Sequence, residues 1–586
     1  MEIMEHNMIL SASGWRKVFA ASGNEQDKSP EITNSDKALS AIAAEVFFDY
    51  LCDVAKTPCP VIALGMDTRP TGKEIALAML HVLAKKDCVI QYTGISSAPE
   101  IMAYAKKLDG FIYISASHNP IGHNGIKFGI NDGGVVNAQE NAKITAEFLK
   151  RLSEDGAEEK ALERIKSCPL NKMESVLSGE KAAKHNSLKA YEDFVKETVS
   201  DSANPAHQED FFQIIHGELD KKPMGILCDF NGSSRTLCID KNFLNNHHMN
   251  FYAMNGNPGE IVHEIIPESE NLVYVAEEME RLQAAGRKDA VLGYMPDCDG
   301  DRGNIVYWDE KQNKAVILKA QEVFSLSVLA ELTFSIWCHQ GEEGFKPAVC
   351  VNCPTSMRIE EIAECLGASV FRGEVGEANV VNLAREKRAE GWNVRILGEG
   401  SNGGTITYPA SVRDPLNTLF AIIKLLVMKE SGLFEMWCKK RGVSYNPNYT
   451  LSDILETLPK YTTTGVSESR AVLKVREMDH AKLKSAFQKN FEKEWKTSPL
   501  VKKYGFTRYE GVLTNGTKET RNATDWSLSG KGGLKVIFYD KEDKPCAFIW
   551  MRGSGTEPVF RVMCDVKGDN IQMEKELLEW ETSLLS

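Results

Sequence analysis

No stretch of the chain is apolar over the length that a membrane span requires. The best candidate, Phe324 to Trp337, is short and carries Glu331. The first residues, Met1-Glu-Ile-Met-Glu-His, are acidic and contain neither a basic segment nor a long apolar one, so no secretory leader is expected. Positive charge is also in deficit: 69 Lys and Arg against 82 Asp and Glu leave −13 at neutral pH. That balance argues against nucleic acid and anionic membranes as partners. A disulfide framework is missing too. The 14 cysteines are dispersed through 586 residues, and several, such as Cys228, Cys350 and Cys564, lie in apolar strand-like runs. Reduced, buried thiols in a cytoplasmic protein are expected. Cys350-Val-Asn-Cys353 has no second Cys or His pair at zinc spacing, and Pro354 follows at once. Strand packing is favoured there over a metal or redox role.

What is present is a globular composition, 42% hydrophobic and 26% charged, in a chain long enough for about four domains. Short apolar runs alternate with helical periodicity. Helical spacing near Lys37–Asp53 precedes a strand at Val61 to Leu64, which ends in Gly65-Met-Asp67-Thr-Arg69-Pro-Thr71-Gly72. Such a strand–turn–helix presents backbone N–H groups to an anion. New strand-led units begin at Met224 and at Ala348. The charged stretch 152–222 is expected to form surface helices, then a linker near Ser200–Lys222. After about Lys460 a smaller α+β unit is expected. It has a helix from Asp479 to Trp495, strands around Val536–Tyr539 and Ala547–Met551, and a last helix from Asn570. Ile571, Leu577, Leu578 and Leu585 supply much of that last helix's apolar content. The fold class is α/β, and no sequence repeat among the units is evident.

Four motifs carry chemistry. The first follows the apolar run Phe111 to Ile114, which stops at Ser115-Ala-Ser117-His118-Asn-Pro120 before Ile126-Lys127-Phe128. A serine at the end of a buried strand, beside His118 and Lys127, is placed to carry a group covalently; an ordinary Ser/Asn/Pro turn is the competing reading. The second is Met295-Pro-Asp297-Cys-Asp299-Gly300-Asp301-Arg302, between two apolar runs. Three carboxylates on one tight turn repel one another, and burying them together costs several kcal/mol unless a cation intervenes. Oxygen donors with room for a phosphate oxygen suit Mg²⁺, and Gly300 lets the turn close. An EF-hand is excluded, since Arg302 and Trp308 stand where Gly and Glu are required. A solvated acidic turn is the bland alternative.

The third motif is Gly398-Glu399-Gly-Ser401-Asn402-Gly-Gly404, a set of hydrogen-bonding groups suited to sugar hydroxyls or simply a Gly/Asn loop. The fourth is Met551-Arg552-Gly-Ser554-Gly555-Thr556-Glu557-Pro-Val-Phe-Arg561. Its two arginines and Gly-rich turn can surround a dianion, unless they form a hairpin with exposed arginines. A Walker-type loop is excluded by spacing.

Ser115 to Pro120, followed by Asn124-Gly-Ile-Lys127, resembles the phosphoserine loop of the α-D-phosphohexomutases. The other three motifs fall in that family's order, as does Ser13-Gly14-Trp15-Arg16 near the start. The resemblance implies three similar α/β domains followed by a smaller α+β domain, forming one central cleft. The expected boundaries are 1–205, 206–320, 321–457 and 458–586. It implies a phosphoryl group on Ser117, Mg²⁺ held against it by Asp297, Asp299 and Asp301, and positive charge from Arg16, Arg302 and Lys127. Lys127, with His118 second, would handle the hydroxyl proton if its environment lowers its pKa. Glu399, Ser401 and Asn402 would select the sugar. Arg552, Ser554, Gly555, Thr556 and Arg561 would hold the phosphate that is not reacting.

The implied activity interconverts hexose 1-phosphate and hexose 6-phosphate through a hexose 1,6-bisphosphate, in a monomer or weak homodimer. The sugar loop departs from the bacterial pattern ending in His and from the pattern with two consecutive glutamates. Upstream, Gly373 and Ala378 replace the usual Thr and Lys/Arg. A phosphoglucomutase/phosphomannomutase is the leading reading, with a phosphoglucosamine mutase beside it. A Mg²⁺-dependent phosphoserine-type phosphatase and a non-catalytic sugar-phosphate-binding relative stand as alternatives.

Overall fold

Alternating parallel strands and helices build the chain, as the apolar runs require. The computed structural model describes residues 4, 6–466, 468–475, 477, 479–553 and 559–585, without the side chain of Asn402. It divides into two compact units, Met1–Leu318 with Pro409–Phe420, and Lys319–Tyr408 with Ala421–Ser586.

In the first unit, one sheet is formed by β1 (Ile9–Ser11), β2 (Gly14–Val18), β3 (Val61–Met66), β4 (Val89–Ile95), β5 (Gly110–Ile114) and β6 (His123–Ile130), in the order β1-β2-β6-β5-β3-β4. A second is formed by β7 (Gly225–Asp229), β8 (Asn250–Met254), β9 (Ala290–Met295), β10 (Asn304–Asp309) and β11 (Lys314–Ile317), in the order β11-β10-β9-β7-β8. In the second unit, β12 (Pro347–Asn352), β13 (Ser369–Gly373), β14 (Asn393–Glu399) and β15 (Gly404–Thr407) are ordered β13-β12-β14-β15. The fourth sheet is antiparallel. It contains β16 (Tyr461–Thr463), β17 (Val472–Lys474), β18 (Arg508–Asn515), β19 (Lys518–Thr520), β20 (Gly533–Tyr539), β21 (Pro545–Gly553) and β22 (Val559–Lys567).

Three of these sheets share one plan. A first strand (β3, β7 or β12) lies parallel between a second (β4, β8 or β13) and a third (β5, β9 or β14). A fourth strand (β6, β10 or β15) returns antiparallel to the third. Helices cross between the parallel strands, as parallel pairing demands. All five residues of β5, all five of β7 and all six of β12 are buried, which is why these strands read as unbroken apolar runs. The plan is invisible as a sequence repeat because burial constrains residue class, not identity.

Local signals set the helix ends. Asp479 and Asn570 cap helices His480–Trp495 and Ile571–Leu584 with side-chain hydrogen bonds. Ile571 is nevertheless 75% exposed, at the first turn, and the buried face of that helix is Met573, Leu577, Leu578 and Leu584. The expected linker at Ser200–Lys222 is instead the helix Pro205–Lys221, capped by Asn204 and anchored by Phe211, Phe212, Ile215 and Leu219. Proline at the first helical position starts a helix there and breaks none. Glu331 sits in the buried helix Ala320–Cys338, where it pairs with Arg395 at 2.9 Å and Lys424 at 2.6 Å. No helix among the described residues is long and apolar enough to cross a membrane. All 14 cysteines are free; Cys228, Cys350, Cys353 and Cys564 are buried thiols.

Candidate active site

The connection from the third to the fourth strand holds the sequence-selected residues in each of the three similar sheets. In the first sheet this is the turn after β5. Ser117 is 3% exposed and adopts the left-handed conformation, φ +54°. A serine has no intrinsic preference for that region, so the surroundings must hold it there. Arg69 does so. Its guanidinium donates to the carbonyls of Ser117 (2.7 Å), Asn119 (2.5 Å), Pro120 (2.6 Å) and His123 (3.1 Å), while Asp67 lies 3.3 Å from its Nε. The Asp67–Arg69 turn, expected to present N–H groups to an anion, thus spends its side chains on the serine turn: Asp67 also accepts from the Arg69 N–H at 2.9 Å. Ser115 Oγ accepts from the Ser117 N–H at 2.8 Å.

In the second sheet the turn after β9 brings Asp297, Asp299 and Asp301 together, 0%, 0% and 2% exposed, with one ligand atom of each within 4.8 Å of the others. Gly300, at φ +72°, closes the turn; a Cβ there would lie 2.5 Å from Arg235 Cγ. Arg235 is itself fully buried and donates to the Gly300 carbonyl at 3.1 Å, to Asp240 at 2.8 Å and to Tyr191 at 3.1 Å.

The two turns meet. Ser117 Oγ donates to Asp297 Oδ2 at 2.9 Å. Asp297 Oδ1 accepts from the N–H groups of Asp301 and Arg302, each at 3.2 Å. Lys127 Nζ, on β6, is 2.7 Å from Asp299 Oδ2, and Arg413 is 2.8 Å from Asp301 Oδ2. Asp299 Oδ1 and Asp301 Oδ1 are buried without a hydrogen-bond donor among the described residues. Three buried carboxylates with two orphaned oxygens fit a hard divalent cation, which takes oxygen ligands and repays their desolvation. They form a group that could hold a metal ion, and no other cluster of this kind occurs among the described residues.

Burial, then Asp299 and Asp301, push the Asp297 carboxyl well above the usual range. Burial alone would raise Asp299 as well, but Lys127 holds it low. The same pair decides Lys127. Its burial would lower the ammonium's pKa, yet Asp299 and Asp301 outweigh burial and raise it. The condition for Lys127 as a proton acceptor, a lowered pKa, is therefore not met in this arrangement. His118 is driven down to about 2 by burial and by Arg302, Arg16 and Arg413. Its Nδ1 accepts from Arg302 at 3.2 Å and lies 3.5 Å from Ser117 Oγ, so the neutral ring carries its proton on Nε2. Arg16 donates to Asn119 Oδ1 at 3.0 Å.

The other sequence-selected residues lie in the second unit. Glu399 ends β14, at the same point of the plan as Ser117 and the aspartates. Its Oε1 accepts from Asn352 Nδ2 at 2.9 Å and the Gly376 N–H at 2.7 Å. Ser401 is buried beside it, and the side chain of Asn402 lies outside the described residues. Arg552 and Arg561 stand directly opposite each other across β21 and β22. Like charges so placed repel unless an anion or acid screens them. Arg552 is in fact 3.1 Å from Glu374 Oε1, a partner the sequence did not reveal, and exposed Arg561 donates to the Val466 carbonyl at 2.8 Å. Ser554, Gly555 and Thr556 fall outside the described residues.

Fold and acidic pocket together define a multidomain α/β protein with a cation-competent centre. Residues 16–155 match the description Phosphoglucomutase/phosphomannomutase, alpha/beta/alpha domain I, and residues 329–440 match domain III of the same family. A Phosphoglucomutase/phosphomannomutase of Thermococcus kodakarensis is 24% identical over 543 residues, 90% of each chain. A phosphoglucosamine mutase of Bacillus cereus is 26% identical over 259 residues, 44% of this chain and 48% of that protein. Among solved structures, the open form of Paramecium pp63/parafusin, a phosphoglucomutase, has a TM-score of 0.63 at 14% identity and covers 98% of this chain and 95% of that one. The chain therefore carries matches to domains I and III of the phosphoglucomutase/phosphomannomutase family, and the relatives it aligns with are named as phosphohexomutases.

Proposed function

We propose that the protein interconverts hexose 1-phosphate and hexose 6-phosphate, with Ser117 carrying the phosphoryl group and a hexose 1,6-bisphosphate as intermediate and activator. One observation carries the reading: a buried serine hydroxyl, held at positive φ, points at a converged acid triad whose Asp299 and Asp301 each keep an orphaned oxygen. Asp297, Asp299 and Asp301 would hold Mg²⁺, which when bound supplies positive charge beside a phosphoryl oxygen. Phosphoserine of about −1.5 to −2 charge needs such neutralisation. Arg16, Arg302 and Lys127 add fixed positive charge around Ser117. Phosphoryl transfer runs through a loose, in-line transition state, so positioning and charge do most of the work.

Arg69 positions the serine turn, and Arg235 the metal turn. Lys127, held as an ammonium by Asp299, fits a proton donor to the serine oxygen as that oxygen leaves. His118, neutral, orients Arg302. Glu399 and Ser401, with Asn402, would read the sugar hydroxyls. Arg552 and Arg561 would take the distal phosphate, with Glu374 standing where that phosphate screens their charge. The four sheets correspond to four domains, bounded near 205, 320 and 457. Phosphoglucomutase/phosphomannomutase activity is favoured, because the relative that carries that name aligns over 90% of both chains, whereas the phosphoglucosamine mutase aligns over about half.

The test is isomerisation of glucose, mannose and glucosamine 1-phosphates in parallel. Each assay contains Mg²⁺ and a trace of the matching bisphosphate, with free phosphate monitored. A 6-phosphate formed without phosphate release is expected, fastest for glucose or mannose. Steady phosphate release would make the protein a phosphatase.

A further inference from the structure

The second unit contains a cavity of about 690 Å³ that none of the residues discussed above as sugar- or phosphate-binding lines. Its walls come from the helix Arg358–Leu366 and β13 on one side, and from β16, β20 and β22 on the other. Lys535 of β20 lines it. This lysine is 1% exposed, and its Nζ lies 4.3 Å from the centre of the Phe548 ring. Among the described residues its ammonium has neither a hydrogen bond nor an ion pair. Around it stands an apolar cluster that includes Val512, Ile537, Phe548 and Trp550, which face the same side of the fourth sheet. An ammonium has three donors, and leaving all three without an acceptor in such surroundings is costly.

The remaining charges in the wall are mostly spoken for. Arg372 pairs with Glu360 at 2.6 Å, Lys567 and Arg441 with Glu361 at 2.6 and 3.5 Å, and Arg521 with Glu510 at 2.7 Å. Lys544 at the mouth is exposed and adds a further cation. Of the lining acids, Glu360 and then Glu519 attract Lys535 without reaching ion-pair distance, and Glu364 is exposed. Lys535 feels Arg372 as its strongest charged neighbour, which repels it; burial lowers it to about 8, so it is still mainly cationic at neutral pH. The cavity therefore offers a buried, unanswered positive charge at its base, a further cation at its mouth and an apolar wall between.

We infer that this cavity is a binding site for a small phosphate monoester with an apolar or ring-shaped body, its phosphate on Lys535 and its body against Met357, Val370 and Ile537. Cavities of this size hold ligands of that class, and a charge-assisted contact to a desolvated ammonium is among the stronger polar contacts available. Because the walls belong to the third and fourth sheets, an occupant ties the two together. The site is separate from the phosphate positions of the reaction, so its test reads binding and not turnover.

Isothermal titration of phenyl phosphate and of inorganic phosphate into the Ser117→Ala protein, which cannot turn over a monoester through the serine, is compared with the same titration after adding Lys535→Met. Phenyl phosphate is expected to bind more tightly than inorganic phosphate, and Lys535→Met to weaken it by about tenfold or more, while Arg552→Ala leaves this component in place. In the unmutated chain, reductive methylation gives an independent reading: phenyl phosphate should slow modification of Lys535 and leave exposed Lys489 unchanged. Equal affinity with and without Lys535, or equal protection of the two lysines, would overturn the assignment.

Discussion

The turn after β9 and the turn after β14 occupy the same place in the same plan, yet they are chemically opposite. After β14 a single carboxylate, Glu399, is answered by the Asn352 amide and the Gly376 N–H. After β9 three carboxylates converge, and Asp299 and Asp301 each keep an oxygen that no donor among the described residues answers. The scaffold decides where the functional groups stand, at the carboxyl ends of parallel strands, as ligand sites in open α/β sheets do. Residue choice decides whether the place is already satisfied or waits for a ligand. A carboxylate already answered by neutral donors suits contact with neutral hydroxyl groups, whereas a converged triad suits a cation.

The largest effect is expected where the two first-unit turns touch. Ser117→Ala should lower kcat by about 10⁴ or more, while hexose phosphate binding measured by titration changes little. Next comes the triad. Asp299→Asn should remove the Mg²⁺-dependent rise in Tm and lower kcat by about 10²–10³. It also frees Lys127 from the pull that raises its pKa. The matching change after β14, Glu399→Gln, should leave the Mg²⁺-dependent Tm rise intact and alter kcat/KM by about three- to tenfold, most visibly as a changed ranking of sugars. If Glu399→Gln abolished the metal response and Asp299→Asn spared it, the contrast between the turns would be reversed.

The smallest effect on activity sharpens the contrast from outside. Glu581 in the helix Ile571–Leu584 is fully buried with neither oxygen hydrogen-bonded among the described residues, and unlike the triad it is alone. Burial pushes its carboxyl well above the usual range. With the folded-state pKa raised, its contribution favours folding at low pH and is lost as pH rises above the unfolded value of about 4.3. Between pH 5 and 8 the stability advantage of Glu581→Gln should therefore grow, by up to about 1.4 kcal/mol per pH unit until the folded pKa is reached. Denaturant titrations of both proteins at several pH values check this, and added Mg²⁺ should not change the difference. An isolated buried acid takes a proton; only converged acids take a metal.

Much of this was legible in residues close in sequence. The strand before Ser117, the glycine that closes the aspartate turn and the caps at Asp479 and Asn570 are local signals, and the structure bears them out. Partners from distant segments were not legible. Arg69 reaches carbonyls about fifty positions away, Arg413 reaches Asp301 across 112 positions, and Glu374 is brought to Arg552 only by the packing of the third and fourth sheets. The misread linker had a different cause. Within it, Asn204 caps and Pro205 opens a helix, and an asparagine cap with proline at the first helical position starts helices rather than breaking them. The shared plan of three sheets was expected only through the family resemblance, because strand order is a property of pairing, which residue composition does not encode.

The covalent shuttle through Ser117 is tested most directly by following the phosphoryl group itself. The protein is incubated with Mg²⁺ and hexose 1,6-bisphosphate labelled in its phosphates, then digested and mapped, and a second sample is chased with unlabelled hexose 1-phosphate before quenching. Label on the peptide containing Ser117, disappearing into hexose bisphosphate and hexose 6-phosphate during the chase, is the predicted result. Absence of label from that peptide, or its release as inorganic phosphate during the chase, would contradict the account.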